Sequence, residues 1–128
     1  MAETDGAGTR RVLIVDNDEH VREAISVVVS DMGLEPVAVA GGREALAWLA
    51  RGKRPALILL DLNMPGMSGW DFRAAQEHDD ALARIPVVVL TARGDATAQG
   101  HRLRAAGAIE KPIELDQLRQ TVMEHLAS

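Results

Sequence analysis

The chain of 128 residues has no cysteine and no tyrosine, and its aromatic side chains are Trp48, Trp70 and Phe72 alone. Without cysteine there is no disulfide and no thiolate metal site, a usage that suits a reducing, cytoplasmic setting. No apolar run approaches the roughly 18 residues that a transmembrane helix needs, so no membrane association is expected. Positions 1–10 are small and polar and lack the apolar stretch of a signal peptide; they are expected to be a flexible leader. Positive charge is also short, with 14 Lys and Arg against 19 Asp and Glu for a net charge of −5. A general nucleic-acid surface needs a basic stripe, so direct nucleic-acid contact is not expected. Repeats and low-complexity stretches are absent, and the length suits one domain with a single sizeable core.

What is present is a set of short apolar runs, each stopped by one polar group. Leu57-Ile58-Leu59-Leu60 ends at Asp61, followed by the turn residues Asn63-Met64-Pro65-Gly66-Met67-Ser68-Gly69. Val12-Leu13-Ile14-Val15 ends in Asp16-Asn17-Asp18, Val87-Val88-Val89-Leu90 ends in Thr91, and a segment near Ile109 ends in Lys111-Pro112. Such runs read as strands buried on both faces, which parallel sheets produce. Open parallel sheets bind ligands beyond the carboxyl ends of their strands, where all these polar groups fall.

Between the runs lie helical stripes. Helices are expected over about 19–32, 43–51, 69–78, 95–106 and 114–126, and strands over about 11–15, 34–39, 57–60, 86–90 and 107–110. Strict alternation gives a doubly wound α/β sandwich. Asp18 is placed to cap the first helix and Gly33 to end it. Glu77-His78-Asp79-Asp80 reads as a solvated loop. His20, His78, His101 and His125 have no metal-ligand spacing and read as surface residues. Trp48 and Trp70 read as packing or interface residues.

Asp16, Asp18 and Asp61 crowded together would repel one another, so the cluster implies a bound cation or held protons. Carboxylate and carbonyl oxygens, with the Asn17 side chain, suit a hard ion such as Mg²⁺ or Mn²⁺. Asp18 is read chiefly as a cap, and Asp16 chiefly as a ligand because it ends a buried strand.

In order along about 11–127, the motifs V-D-N-D, L-D-L-N-M-P-G-M-S-G, V-L-T-A, A-A-G-A and K-P-I resemble the receiver domains of two-component response regulators. The intervals of 45 residues from Asp16 to Asp61 and 30 from Asp61 to Thr91 also resemble the family's. The resemblance implies a flavodoxin-like (βα)5 sandwich with a five-stranded parallel sheet of order 2-1-3-4-5. It implies that Asp61 is the phosphoacceptor, with Thr91 and Lys111 contacting the phosphoryl oxygens. Asp16, Asn17, Asp61 and the backbone carbonyl of Asn63 would hold the metal. It implies a histidine kinase or phosphotransfer protein as donor, a downstream output protein as target, and a monomer or weak dimer. The family often has a cis peptide at the Lys-Pro bond, and in it the lifetime of the phosphorylated state depends partly on the positions of Asn63 and Arg93.

Two positions depart from the family. Asn17 stands where a second carboxylate is usual, which predicts weaker metal binding. Ala108 stands where a strand-5 Tyr or Phe swings inward as the threonine engages phosphate, and the last strand is short. A phosphorylation-independent scaffold is therefore a second reading. An aspartyl phosphatase would need an acid where Asn63 stands, and a flavin protein would be repelled by Asp16-Asn17-Asp18.

Overall fold

In the computed structural model, residues 10–126 other than 93 are described. The expected leader lies almost wholly outside the described residues, as does Arg93. Five parallel strands form one sheet: β1 (Arg11–Val15), β2 (Glu35–Val39), β3 (Leu57–Asp61), β4 (Val87–Thr91) and β5 (Gly107–Glu110). Their order is β2-β1-β3-β4-β5, the one the resemblance implies. Every residue of β3 and β4 is buried, because helices cover both faces. β2 lies at the edge and is half-exposed, which accommodates Pro36, a residue with no N–H to donate.

The strand period of two sorts side chains into two cores. Leu13, Val15, Ile58, Leu60, Val87 and Val89 face one side with Leu49, Phe72 and Leu103. Val12, Ile14, Leu57, Leu59, Val88 and Leu90 face the other with Ile25, Val29, Leu118 and Val122. The second core is closed by α1 (Glu19–Asp31) and α6 (Leu115–His125), and the first by α2 (Gly42–Ala50), α3 (Gly69–Glu77) and α5 (Ala96–Leu103). The expected helices are thus all present, with ends moved by one to three residues. Asp18 caps α1 through its carboxylate, accepting from His20 N at 2.9 Å and Val21 N at 3.4 Å. Gly33, at φ 81°, follows its C-terminus.

The pattern differs from the structure in three places. The charged stretch before β4 is not a loop: Glu77 ends α3, and Asp79 caps a single turn, α4 (Asp80–Ala83), by accepting from Ala81 N and Leu82 N. One turn is too short to show helical periodicity, and its anchor is one buried residue, Leu82. The fifth helix stops at Leu103 rather than near residue 106, because Arg104 turns left-handed at φ 53° and sends the chain into β5. His125 is half-buried rather than on the surface. A Cβ added to Gly107 would come within 3.0 Å of its Nε2, so the ring lies over β5. His20, His78 and His101 are exposed, as expected. Trp48 packs on the first core, and Trp70 is exposed.

Candidate functional site

β1 and β3 are neighbours, so parallel register carries Asp16 and Asp61 to the same end of the sheet. Asp16 is fully buried and Asp61 is 1% exposed. Lys111 arrives from the end of β5 across a cis peptide to Pro112. Its Nζ stands 3.1 Å from Asp16 Oδ2 and 3.3 Å from Asp61 Oδ1. Asp16 Oδ2 accepts no well-aligned hydrogen bond among the described residues, so its contact with Lys111 is one of charge rather than alignment. Thr91 is buried at the end of β4, one step beyond Leu90, the register partner of Asp61. Its carbonyl accepts from Lys111 N at 2.7 Å, which ties the two strand ends together.

Backbone groups hold the carboxylates. Asp18 N donates to Asp16 Oδ1 at 2.8 Å, and Asn63 N donates to Asp61 Oδ1 at 3.1 Å. Gly69 lets α3 start directly against the turn after Asp61. A Cβ there would stand 2.6 Å from the Asp61 carbonyl oxygen and 2.7 Å from Leu62 Cα. No side chain fits that gap.

Burial pushes the Asp61 carboxyl above its ordinary value, and the Asp16 charge pushes it further. The Asn63 N–H and the Lys111 ammonium act against the rise without cancelling it. Burial works to lower the Lys111 value, but contact with Asp16 and Asp61 outweighs it and the ammonium titrates above its ordinary value. One cation thus faces two buried carboxylates.

The donor set fits a hard divalent ion. Two carboxylates converge on one point, and Asp16 Oδ2 retains acceptor capacity. Asn17 and Asn63 are exposed at the rim, where an amide oxygen and a carbonyl could complete an oxygen shell. Asp18 is engaged in capping α1, so it is not free to replace the charge missing at Asn17.

The family model described as the response regulator receiver domain matches residues 12–123. This chain belongs to the response regulator receiver family. Among its relatives, the polar-differentiation response regulator DivK of Brucella anthropi is 33% identical over 123 residues, covering 91% of this chain and 96% of that protein. The DNA-binding response regulator MtrA of Mycolicibacterium paratuberculosis is 33% identical over 119 residues, covering 91% of this chain but 51% of that protein. The chain therefore spans about half the length of that DNA-binding relative. Among solved structures, the Vibrio cholerae chemotaxis protein CheY4 superposes with a TM-score of 0.83 at 31% identity, covering 93% of this chain and 100% of that one. Receiver domains are signalling domains rather than conventional enzymes. Among the described residues, no helix is long and apolar enough to cross a membrane.

Within this receiver, the structure brings Asp16, Asp61 and Lys111 into contact, with Thr91 on the adjoining strand and Asn17 and Asn63 at the rim. Ala108 of β5 pairs with Val89 of β4, and beside it lies an open groove of about 600 Å³ lined by Gly100, His101 and residues 104–108. Sequence reasoning missed Arg22, whose Nη1 donates to the Asp16 carbonyl at 2.8 Å and fixes the backbone of the acidic turn. It also missed Arg73 and Gln76, buried polar residues on the inward face of α3 beside Phe72. Their signal was visible as two polar residues, three apart, at apolar positions of a helix.

Proposed function

We propose that this receiver accepts a phosphoryl group on Asp61 from the phosphohistidine of a histidine kinase or phosphotransfer protein, and signals in the cytoplasm through changed contacts with an output protein. The observation that carries the reading is the Asp61 carboxylate, 1% exposed at a strand end with the Lys111 ammonium at 3.3 Å. An Asp61 oxygen attacks phosphorus as the P–N bond breaks; the donor imidazole leaves with the bonding pair and takes a proton. Lys111, already beside Asp61, balances charge on the phosphoryl oxygens, and the Thr91 hydroxyl donates to one of them. Mg²⁺ (or Mn²⁺) held by Asp16, Asn17, Asp61 and the Asn63 carbonyl would supply further charge neutralisation. The Asp61 carboxyl is raised chiefly by burial and further by the Asp16 charge, a setting in which a bound cation would favour the ionised, nucleophilic form.

Treating the protein with acetyl phosphate and Mg²⁺, then with hydroxylamine, tests this. An acyl phosphate on Asp61 yields a hydroxamate on the peptide that contains it; an unmodified Asp61 peptide contradicts the proposal. A phosphorylation-independent scaffold is the second reading, favoured by the exposed Asn17 and by Ala108 at the switch position. It would leave Asp61 unmodified while partner binding persisted.

A further inference from the structure

The turn after β1 is held on both sides of Asn17. Before it, Asp16 N donates to the Val39 carbonyl at 3.2 Å, and Asp16 Oδ1 accepts from Asp18 N at 2.8 Å. After it, Asp18 caps α1, and the Asp18 carbonyl accepts from Arg22 N at 3.0 Å. The peptide that joins Asp16 to Asn17 has a tie of its own. Arg22, one turn into α1, donates through Nη1 to the Asp16 carbonyl at 2.8 Å, and the contact is half-buried. A peptide is planar, so a fixed carbonyl oxygen also fixes the nitrogen of the next residue. The guanidinium therefore constrains the direction in which Asn17 leaves the backbone.

That direction matters because of what position 17 offers a cation. A carboxylate has two equivalent oxygens and a full charge, and it attracts a divalent ion from a wide range of directions. An amide has one ligating oxygen, and its NH2 end repels a cation. Asn17 is exposed, so packing does little to turn its oxygen inward. Its aim must come from the backbone.

Charge alone would give Arg22 the opposite role. A guanidinium beside the Asp16 carbonyl repels a divalent ion held between Asp16 and Asp61. That repulsion is partly screened by salt at a half-buried site. Loss of an outer-shell partner, by contrast, typically costs on the order of ten- to a hundredfold in metal affinity. Geometry outweighs charge, and the two are separable by sign.

We propose that Arg22 is a positioning residue for the metal pocket, required because position 17 carries an amide rather than a carboxylate. The inference rests on the reading of Asp16, Asn17 and Asp61 as metal ligands. Arg22 acts through the Asp16–Asn17 peptide, not on the reacting atoms.

Titration of the full chain with Mn²⁺, read by the EPR signal of the free ion and repeated with Mg²⁺ in competition, tests the assignment. Arg22→Met should bind Mn²⁺ about fivefold more weakly than the wild type, the fold-change of one hydrogen bond. Arg22→Lys keeps the charge and a donor on a side chain of similar reach, and should stay within about twofold of the wild type. In the Asn17→Asp background, Arg22→Met should change affinity by less than about twofold, since a carboxylate needs no such aim. Arg22→Gln, too short to reach the Asp16 carbonyl, should match Arg22→Met and repeats that arm with a polar side chain. Thermal unfolding without metal checks that each variant folds. Tighter binding by Arg22→Met would mark the arginine as a bystander charge and overturn the proposal. An equal loss with and without Asn17→Asp, or no rescue by Arg22→Lys, overturns it as well. Absence of Mn²⁺ and Mg²⁺ binding by both the wild type and Asn17→Asp contradicts the metal reading itself, and the assignment of Arg22 falls with it.

Discussion

Lys111 Nζ lies 3.1 Å from the Oδ2 atom of Asp16, a carboxylate with no solvent exposure. Removing the ammonium leaves two buried carboxylates without a counter-charge. We expect Lys111→Met to lower stability by about 1–2 kcal/mol at neutral pH, less than for a fully buried pair because the lysine is a third exposed. The folded value of Lys111 is raised above its ordinary 10.5. Its stabilisation is therefore complete below that value and lost as pH rises through the folded one. Denaturant midpoints of both proteins should differ constantly near neutrality and converge in strong alkali.

Asp61→Asn should stabilise the metal-free protein. The folded carboxyl binds its proton more tightly than the unfolded one, whose ordinary value is 3.8. Ionising Asp61 thus costs stability increasingly as pH rises from that ordinary value and in full above the folded one, while near pH 3 the cost is absent. Thermal unfolding should show Asp61→Asn ahead at pH 7, with the gap closing in acid. A destabilised variant at pH 7 would mean that the carboxylate is better compensated than its surroundings imply.

Asn17→Asp should bind Mg²⁺ about fivefold more tightly than the wild type, since one more carboxylate adds roughly 1 kcal/mol of attraction at a partly exposed site. The same change should weaken the metal-free fold by adding repulsion beside Asp16 and Asp61. Calorimetric titration measures the first effect and thermal unfolding without metal the second. Equal affinities would remove Asn17 from the ligand set.

Gly69→Ala should be costly for a backbone reason. The added carbon would meet the Asp61 carbonyl and Leu62 Cα, neither of which can rotate away. A loss of about 2 kcal/mol or more is expected. Phosphoryl uptake should fall with it, because the turn that aims Asp61 must shift. Unfolding and phosphorylation assays on one preparation separate the two effects.

The strands were legible because a sheet covered on both faces leaves continuous apolar runs, and Leu57–Leu60 or Val87–Leu90 cannot easily be read otherwise. Asp16, Asp61 and Thr91 were legible for the same reason: each is the first polar group after such a run, while Lys111 stands one residue further on, behind Glu110. Asp18 was legible as a cap from its place before the stripe of α1. What stayed hidden depends on contacts between elements distant in sequence. Arg73 bonds carbonyls some 30 residues away, and Glu110 accepts from a loop 16 residues away. Neither spacing has a periodicity to reveal it. The α4 turn stayed hidden because its polar residues are caps, whose composition is that of a loop. The end of α5 was misplaced because Arg104 adopts a conformation that composition assigns to glycine.

Intact-mass measurement after exposure to acetyl phosphate and Mg²⁺ tests the central claim most directly. The wild type should gain the mass of one phosphoryl group, and Asp61→Asn should gain none. A persistent adduct on Asp61→Asn, or an unmodified wild type, would contradict the account.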